Sequence, residues 1–170
     1  MKYITKFIKE EGSIQVPEGK LIYYKVTPVF SDTENGPDRV EGSCFLYDDY
    51  STLIKPGDTF YEIALVEVED GARRNGIGTK LVKEFFTKCN PDSVVLKAGI
   101  TRKELYEQLC TEDHLVEYIY ENIVPFYEKL GFTDVNHTVF YFEETVPMLW
   151  PKSKADEAKR RSEEFKQKMA

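Results

Sequence analysis

The sequence is poor in the residues that staple small proteins or hold metal ions. It has three cysteines (Cys44, Cys89, Cys110) and two histidines (His114, His137) in 170 residues. The cysteines are odd in number and show no CxxC spacing, which argues against a disulfide scaffold or a thiolate zinc site. Neither histidine sits in a ligand motif, so no metal is expected. Long apolar runs are also missing. None approaches the roughly 18 residues of a membrane helix. The opening Met1-Lys2-Tyr3-Ile4-Thr5-Lys6 lacks the apolar run and cleavage site of a signal peptide. A soluble, cytoplasmic chain with no membrane partner is the expectation.

Positive charge is in deficit as well. The net charge is −7, and phosphate backbones need a basic surface, so nucleic acid is not expected as a partner. Residues 151–170 hold seven Lys/Arg and four Asp/Glu, which leaves −10 on the rest. An acidic body suits a cationic substrate such as an amine, and it also suits plain solubility. What the chain does have is 41% apolar and 14% aromatic residues, the composition of a globular chain of about one domain.

Residues 1–8 and 21–30 are rich in Tyr, Ile, Phe and Val and read as strands, with a turn at Val16-Pro17-Glu18-Gly19. Residues 40–47 read as another strand. Phe60–Glu69 is a strand that runs into a glycine-containing loop, and a helix then follows. Its apolar positions Ile77, Leu81, Val82, Phe85, Phe86 and Cys89 recur at helical spacing until Asn90-Pro91 stops the run. Residues 93–98 are a short buried strand. The middle of the chain is therefore a βαβ unit.

Thr101 and Glu104 form a capping box, and Thr111-Glu112-Asp113 opens a second helical stretch. Pro125 starts a third helix, with Asn122 as its cap and Gly131 at its C′ position. Thr138–Glu144 reads as the last strand. Residues 151–170 read as a solvated helix or frayed tail, with homodimer contacts as an alternative use. The expected class is mixed α+β in a single domain: a mainly antiparallel twisted sheet around a central βαβ unit. The main part is residues 1–150, with 1–59 on its acceptor side and 151–170 as the charged tail.

The loop Arg73-Arg74-Asn75-Gly76-Ile77-Gly78-Thr79 joins a strand to a helix. The first helical N–H groups there have no internal partner, and the helix dipole draws anions to them. Glycine lets a diphosphate approach the backbone. Gly71 and Gly76 have Walker A separation, but Ile77-Gly78 replaces Lys-Ser/Thr. Gly76 and Gly78 begin a dinucleotide fingerprint, but Leu81 replaces its third glycine. Both motifs fail, which leaves an anion cradle or a plain tight turn.

The remaining pattern, Arg73-x-x-Gly76-x-Gly78 after a strand, resembles the acetyl-CoA loop of the GCN5-related N-acetyltransferases (GNAT). A second run, Phe126-Tyr127-Glu128-Lys129-Leu130-Gly131-Phe132, resembles that family's Tyr-x-x-Leu-Gly-Phe signature. The two lie in the family's order, about 50 residues apart, and the resemblance covers residues 60–150. It implies transfer of an acetyl group from acetyl-CoA to a primary amine, on a small molecule or a lysine, within a ternary complex. It also implies two helices after the first strand, whereas residues 1–59 show no amphipathic helix.

Several roles follow from the resemblance. Arg73, Arg74, Asn75, Gly76, Ile77, Gly78 and Thr79 hold the diphosphate. The backbone of Leu65, Val66 and Val68 pairs with the pantetheine arm, and one N–H there faces the thioester carbonyl. Asn122 contacts the same arm, or else caps a helix. Tyr127 is the general acid toward the coenzyme sulfur, or else it packs beside Phe126 and Phe132. Glu62, 11 residues before Arg73, is the general base. Strand alternation sets Glu62 with Ala64, Val66 and Val68, and puts the rival bases Glu67 and Glu69 on the other face. Cys44, Cys89 and Cys110 offer thiols for an acetyl-enzyme, but no activating histidine is marked near them, and Cys89 and Cys110 fall at apolar helical positions and read as core. A non-catalytic acetyl-CoA-binding or structural module is the alternative.

Overall fold

Two residues, Pro17 and Glu18, turn the chain between its first two strands. In the computed structural model, which describes residues 3–31, 57–69, 75–100, 115–136 and 145–169, these are β1 (Tyr3–Val16) and β2 (Gly19–Ser31). They pair antiparallel from Val16↔Gly19 to Tyr3↔Ser31. So short a link leaves no room for the two helices that the resemblance implies at this point. β3 (Phe60–Val68) continues the antiparallel ladder along Gly19–Val26 of β2.

Helix α1 (Ile77–Cys89) lies against these strands and buries Leu81, Val82 and Phe85 completely. Such fully covered side chains contribute about 1.5–3 kcal/mol each. The Phe85 ring meets Tyr23 at 5.2 Å and Tyr61 at 5.8 Å between centroids. Tyr23 stands directly opposite Gly12 and lies over it. A Cβ on Gly12 would run into the Tyr23 ring, so the position needs glycine. Cys89, at the end of α1, is a free thiol and half-buried.

Asn90, at φ 43°, ends α1 in the left-handed region, and its N–H donates to the Phe86 carbonyl at 2.9 Å. The chain then enters β4 (Val94–Ala98). The Tyr61 N–H donates to the Ser93 carbonyl at 3.0 Å. The starts of β3 and β4 thus lie together, as a parallel crossover requires. The strand order is β1-β2-β3-β4, then β4-β6-β5. Within β4, after Val95, one compact unit ends and a second begins. The class is mixed α+β with a mainly antiparallel sheet, as expected.

The second unit contains α2 (Leu115–Asn122), α3 (Val124–Lys129), β5 (Thr133–Asp134), β6 (Val146–Trp150) and α4 (Lys152–Met169). β5 pairs antiparallel with β6, Thr133 opposite Leu149. The α3 stop follows the Schellman pattern. The Gly131 N–H donates to the Glu128 carbonyl, and the Phe132 N–H to the Tyr127 carbonyl at 3.1 Å. Gly131 sits at φ 96°, and a Cβ on it would come within 3.1 Å of the Trp150 ring.

Three expectations change. A strand that was not expected, β6, lies beyond the one read as last, because Val-Pro-Met-Leu-Trp is a buried apolar run without alternation. Of the two expected forms of residues 151–170 the helix is the one observed, but it is not solvated all round: α4 buries Ala155 and Ala158 completely. Asn122 does not cap α3. It ends α2, and its amide donates to the Tyr118 carbonyl at 3.0 Å, while Ile123 occupies the α3 N-cap. The expected strands at 40–47 and 138–144, the capping box at Thr101 and Glu104, and Thr111-Glu112-Asp113 lie outside the described residues, as do Cys44, Cys110, His114 and His137.

Gly131→Ala combines a strained left-handed residue with a contact on Trp150. It should lower the unfolding free energy by about 1–3 kcal/mol, read from urea midpoints at constant slope. An unchanged midpoint would refute the need for glycine. Burial, and then the Cys89 contact, push the Tyr23 phenol up to about 12. Its contribution to stability is therefore whole below the unfolded value of about 10 and is lost as pH rises toward the folded one. Urea midpoints for the wild type should fall over that interval, and Tyr23→Phe should flatten the fall.

Candidate functional site

The strand-to-helix loop meets α1 at Gly76. Arg73 and Arg74 lie outside the described residues. Gly76 is the N-cap, at φ 77° and ψ 12°, and no side chain caps the helix. Exposed Asn75 precedes it, and no atom lies within 4 Å of where a Gly76 Cβ would stand. The first helical bond runs from the Lys80 N–H to the Gly76 carbonyl at 3.0 Å. The N–H groups of Ile77, Gly78 and Thr79 precede that bond and have no intrahelical acceptor. With no acid in the first turn, the positive end of the dipole is not offset there. Gly76 and Thr79 also border an open depression of about 370 Å³, continued along the helix by Lys80, Lys83, Glu84 and Thr87. Lys80 and Lys83 were not anticipated, because their role depends on which helix face borders the depression.

β3 departs from simple alternation. Ile22 of β2 faces Leu65, but the next residue, Tyr23, faces Ile63, so Ala64 is an extra residue in the ladder. Residues opposite one another share a face, and so do residues two apart on β2. Val66, opposite Leu21, therefore lies on the face of Ile63 and Tyr61. Leu65 and Glu67 lie on the face of Glu62. This corrects the expected grouping of Glu62 with Val66 and Val68 against Leu65 and Glu67. Leu65, Val66 and Val68 are each half-buried, and Ala64 is exposed. Such a bulge leaves the extra residue outside the ladder pairing.

Glu62 is 13% exposed, and its Oε2 lies 3.7 Å from Lys9 Nζ. Lys9 also stands 6.0 Å from the centre of the Tyr24 ring. This cation was not anticipated, since only the β1–β2–β3 register brings residue 9 beside residue 62. Of the rival bases, Glu67 and Glu69 are exposed.

Tyr127 belongs to the second unit. Its ring meets Phe126 at 4.9 Å and Phe132 at 5.8 Å, both edge to face. Burial pushes its phenol well above the ordinary value, so the protonated form holds through neutral pH. The side chain is half-buried between these two rings and stays protonated. The two units hold separate parts of the expected site: Glu62, the β3 residues and Asn75–Thr79 in the first, Tyr127 and Asn122 in the second. Among the described residues there is no cluster of three or more His, Cys, Asp or Glu suited to a metal. No described helix is long and apolar enough to cross a membrane.

No family model matches the sequence, and no curated protein is similar to it. Solved structures do show a likeness. One is a crystal structure of the NatC complex bound to Gag peptide and CoA, with 15% identity and a TM-score of 0.37, covering 81% of this chain and 62% of that one. Another is a histone acetyltransferase HPA2 and related acetyltransferase from Corynebacterium glutamicum, with 13% identity and a TM-score of 0.37, covering 79% and 65%. The chain spans less than two thirds of the length of either neighbour.

The space at Gly76 admits a side chain, and aspartate tolerates the left-handed region better than most residues. In Gly76→Asp the carboxylate would claim the free amides itself. The side chain at φ 77° is strained, so binding is compared well below the variant's melting temperature, where the variant should hold coenzyme A at least about tenfold more weakly by calorimetry. Undiminished binding would show that these amides hold no ligand.

Proposed function

We propose that the chain is an acyl-CoA-dependent N-acyltransferase of the GNAT type that moves an acetyl group from acetyl-CoA to a primary amine. The observation that carries the reading is the bare start of α1: a left-handed glycine, open space and unclaimed N–H groups at the end of a strand–loop–helix passage. The second signature run supports it by forming the helix stop that holds Tyr127.

In this reading the amides of Ile77, Gly78 and Thr79 take the diphosphate, with Arg73, Arg74 and Asn75 beside them. The backbone of Leu65, Val66 and Val68 takes the pantetheine arm, and one N–H of β3 polarises the thioester carbonyl. Glu62, or water held by it, takes a proton from the ammonium of the acceptor. The amine nitrogen then attacks the carbonyl carbon, forming the C–N bond. The C–S bond breaks, the sulfur leaves with the proton that Tyr127 donates, and the second proton lost from the nitrogen as the amide forms restores the Tyr127 phenol through solvent. The −10 charge outside residues 151–170 favours a cationic amine. One observation favours the non-catalytic alternative: Lys9 already stands against the Glu62 carboxylate.

Acetyl-CoA and coenzyme A should raise the melting temperature, and ATP and NAD should not. At 100 times its dissociation constant a ligand adds about 2.7 kcal/mol, which is roughly 5–10 °C at this chain length. No shift with acetyl-CoA would overturn the reading. Tyr127→Phe should lower kcat by about 10²–10⁴ and leave acetyl-CoA affinity unchanged; unchanged turnover would remove Tyr127 from the mechanism. Glu62→Gln should abolish the acid limb of the pH–rate profile. A profile that keeps this limb would assign the proton to another base.

A further inference from the structure

A primary ammonium of the chain itself stands at the carboxylate that the proposed reading makes the base. Lys9 Nζ lies 3.7 Å from Glu62 Oε2. The two meet across β2. Lys9 pairs with Val26, Glu62 pairs with Tyr24, and Val26 and Tyr24, two residues apart, share a face. The lysine head lies over the Tyr24 ring, 6.0 Å from its centre. The Tyr24 hydroxyl donates to Glu11 Oε1 of β1 at 3.3 Å, which holds the ring as a wall beside the lysine.

Exposure differs within the pair. The Lys9 side chain is 40% exposed and that of Glu62 13%, and Glu62 Oε2 is buried. An amine arriving from solution competes with Lys9 for that oxygen, whereas Lys9 is already beside it. Lys9 is also exposed enough for an acyl donor to approach its side chain. Ala64, the residue left over in the β2–β3 ladder, is two positions beyond Glu62. Two residues of strand span roughly 7 Å, within the swing of a four-carbon stem. A thioester carbonyl held by a β3 N–H at that point comes within reach of Lys9 Nζ.

We propose that Lys9 is an acetylation site of this chain, modified by acetyl-CoA within the same molecule with Glu62 as the base. The inference rests on the N-acyltransferase reading. The Lys9 ammonium gives one proton to Glu62, and its nitrogen forms the C–N bond to the acetyl carbonyl carbon. The C–S bond breaks, and the nitrogen loses a second proton as the amide forms. Coenzyme A leaves as the thiol, so one proton in all is released. The amide carries no charge, and the ion pair on Glu62 is lost with the reaction. A purely structural ion pair predicts the opposite reactivity, because a carboxylate that only holds the ammonium charged makes the amine a poorer nucleophile.

Lys25 supplies the reference. It is exposed, and alternation sets it on the opposite face of β2 from Tyr24. The full chain is incubated with acetyl-CoA, and uptake is followed by intact mass and by peptide mapping after cleavage at glutamate. Lys9 should be acetylated at least about 10²-fold faster than Lys25, with a rate constant independent of protein concentration. Glu62→Gln should bring Lys9 down to the Lys25 rate with an unchanged circular dichroism spectrum. Wild-type Lys9 reacting no faster than Lys25 would overturn the proposal. So would a Lys9 rate that Glu62→Gln leaves unchanged, or one that rises with protein concentration and thus places the transfer between molecules. The melting shift with acetyl-CoA on the same sample separates the two failures. A shift, with an added primary amine acetylated and Lys9 not, removes this site and leaves the proposed function standing; no shift removes both.

Discussion

The ladder between β2 and β3 carries one more residue on β3 than on β2, at Ala64, and that mismatch governs the first unit. Before it, Tyr61 and Ile63 face α1 while Phe60 and Glu62 face away. After it, Val66 takes the helix side. One strand thereby supplies aromatic packing for Phe85 at its start and aliphatic cover at its end, and still holds a carboxylate on the far face next to Lys9. Without the extra residue, the pairing Tyr23↔Ile63 and the pairing Leu21↔Val66 could not both hold. Either the aromatic stack on Phe85 or the cover at the end of β3 would lose its partner.

Two glycines then mark two helix ends with opposite consequences. Gly76 opens α1 and leaves its first amides without a partner among the described residues, since glycine forgoes the side-chain cap that Ser or Asp would supply. Gly131 closes α3 and satisfies its carbonyls with the amides of the following residues. The first end is open to solvent and carries no side-chain cap. The second is self-contained and packs against Trp150. An anion site needs the former, and a stable anchor for a side chain such as Tyr127 needs the latter.

Much of this was legible in the sequence because it rests on local chemistry. The two glycine signals, the periodicity of Leu81, Val82 and Phe85, the Pro125 helix start and the hairpin at Pro17 all act within a few residues. The features that were not legible depend on register. A bulge at Ala64 has no marker among Ile-Ala-Leu, and it turned simple alternation wrong from Leu65 onward. Lys9 lies 53 positions from Glu62 and meets it only through two ladders. β6 carries a proline and no alternation. Asn122 looked like a cap because of its distance from Pro125, but the intervening Ile123 took that position and left the amide to turn back on Tyr118.

The Schellman stop of α3 uses the backbone carbonyl of Tyr127 itself as the acceptor for Phe132. The spelling Tyr-Glu-Lys-Leu-Gly-Phe therefore answers a mechanical demand before any chemical one: the glycine permits the reversal, and the two aromatic rings clasp across it. A descendant that had given up catalysis would still be under pressure to keep Gly131 and Phe132. The informative letter in the run is the phenolic oxygen, which the stop does not use. Exchange of that one atom, with the rest of the run intact, would leave the helix stop as it is.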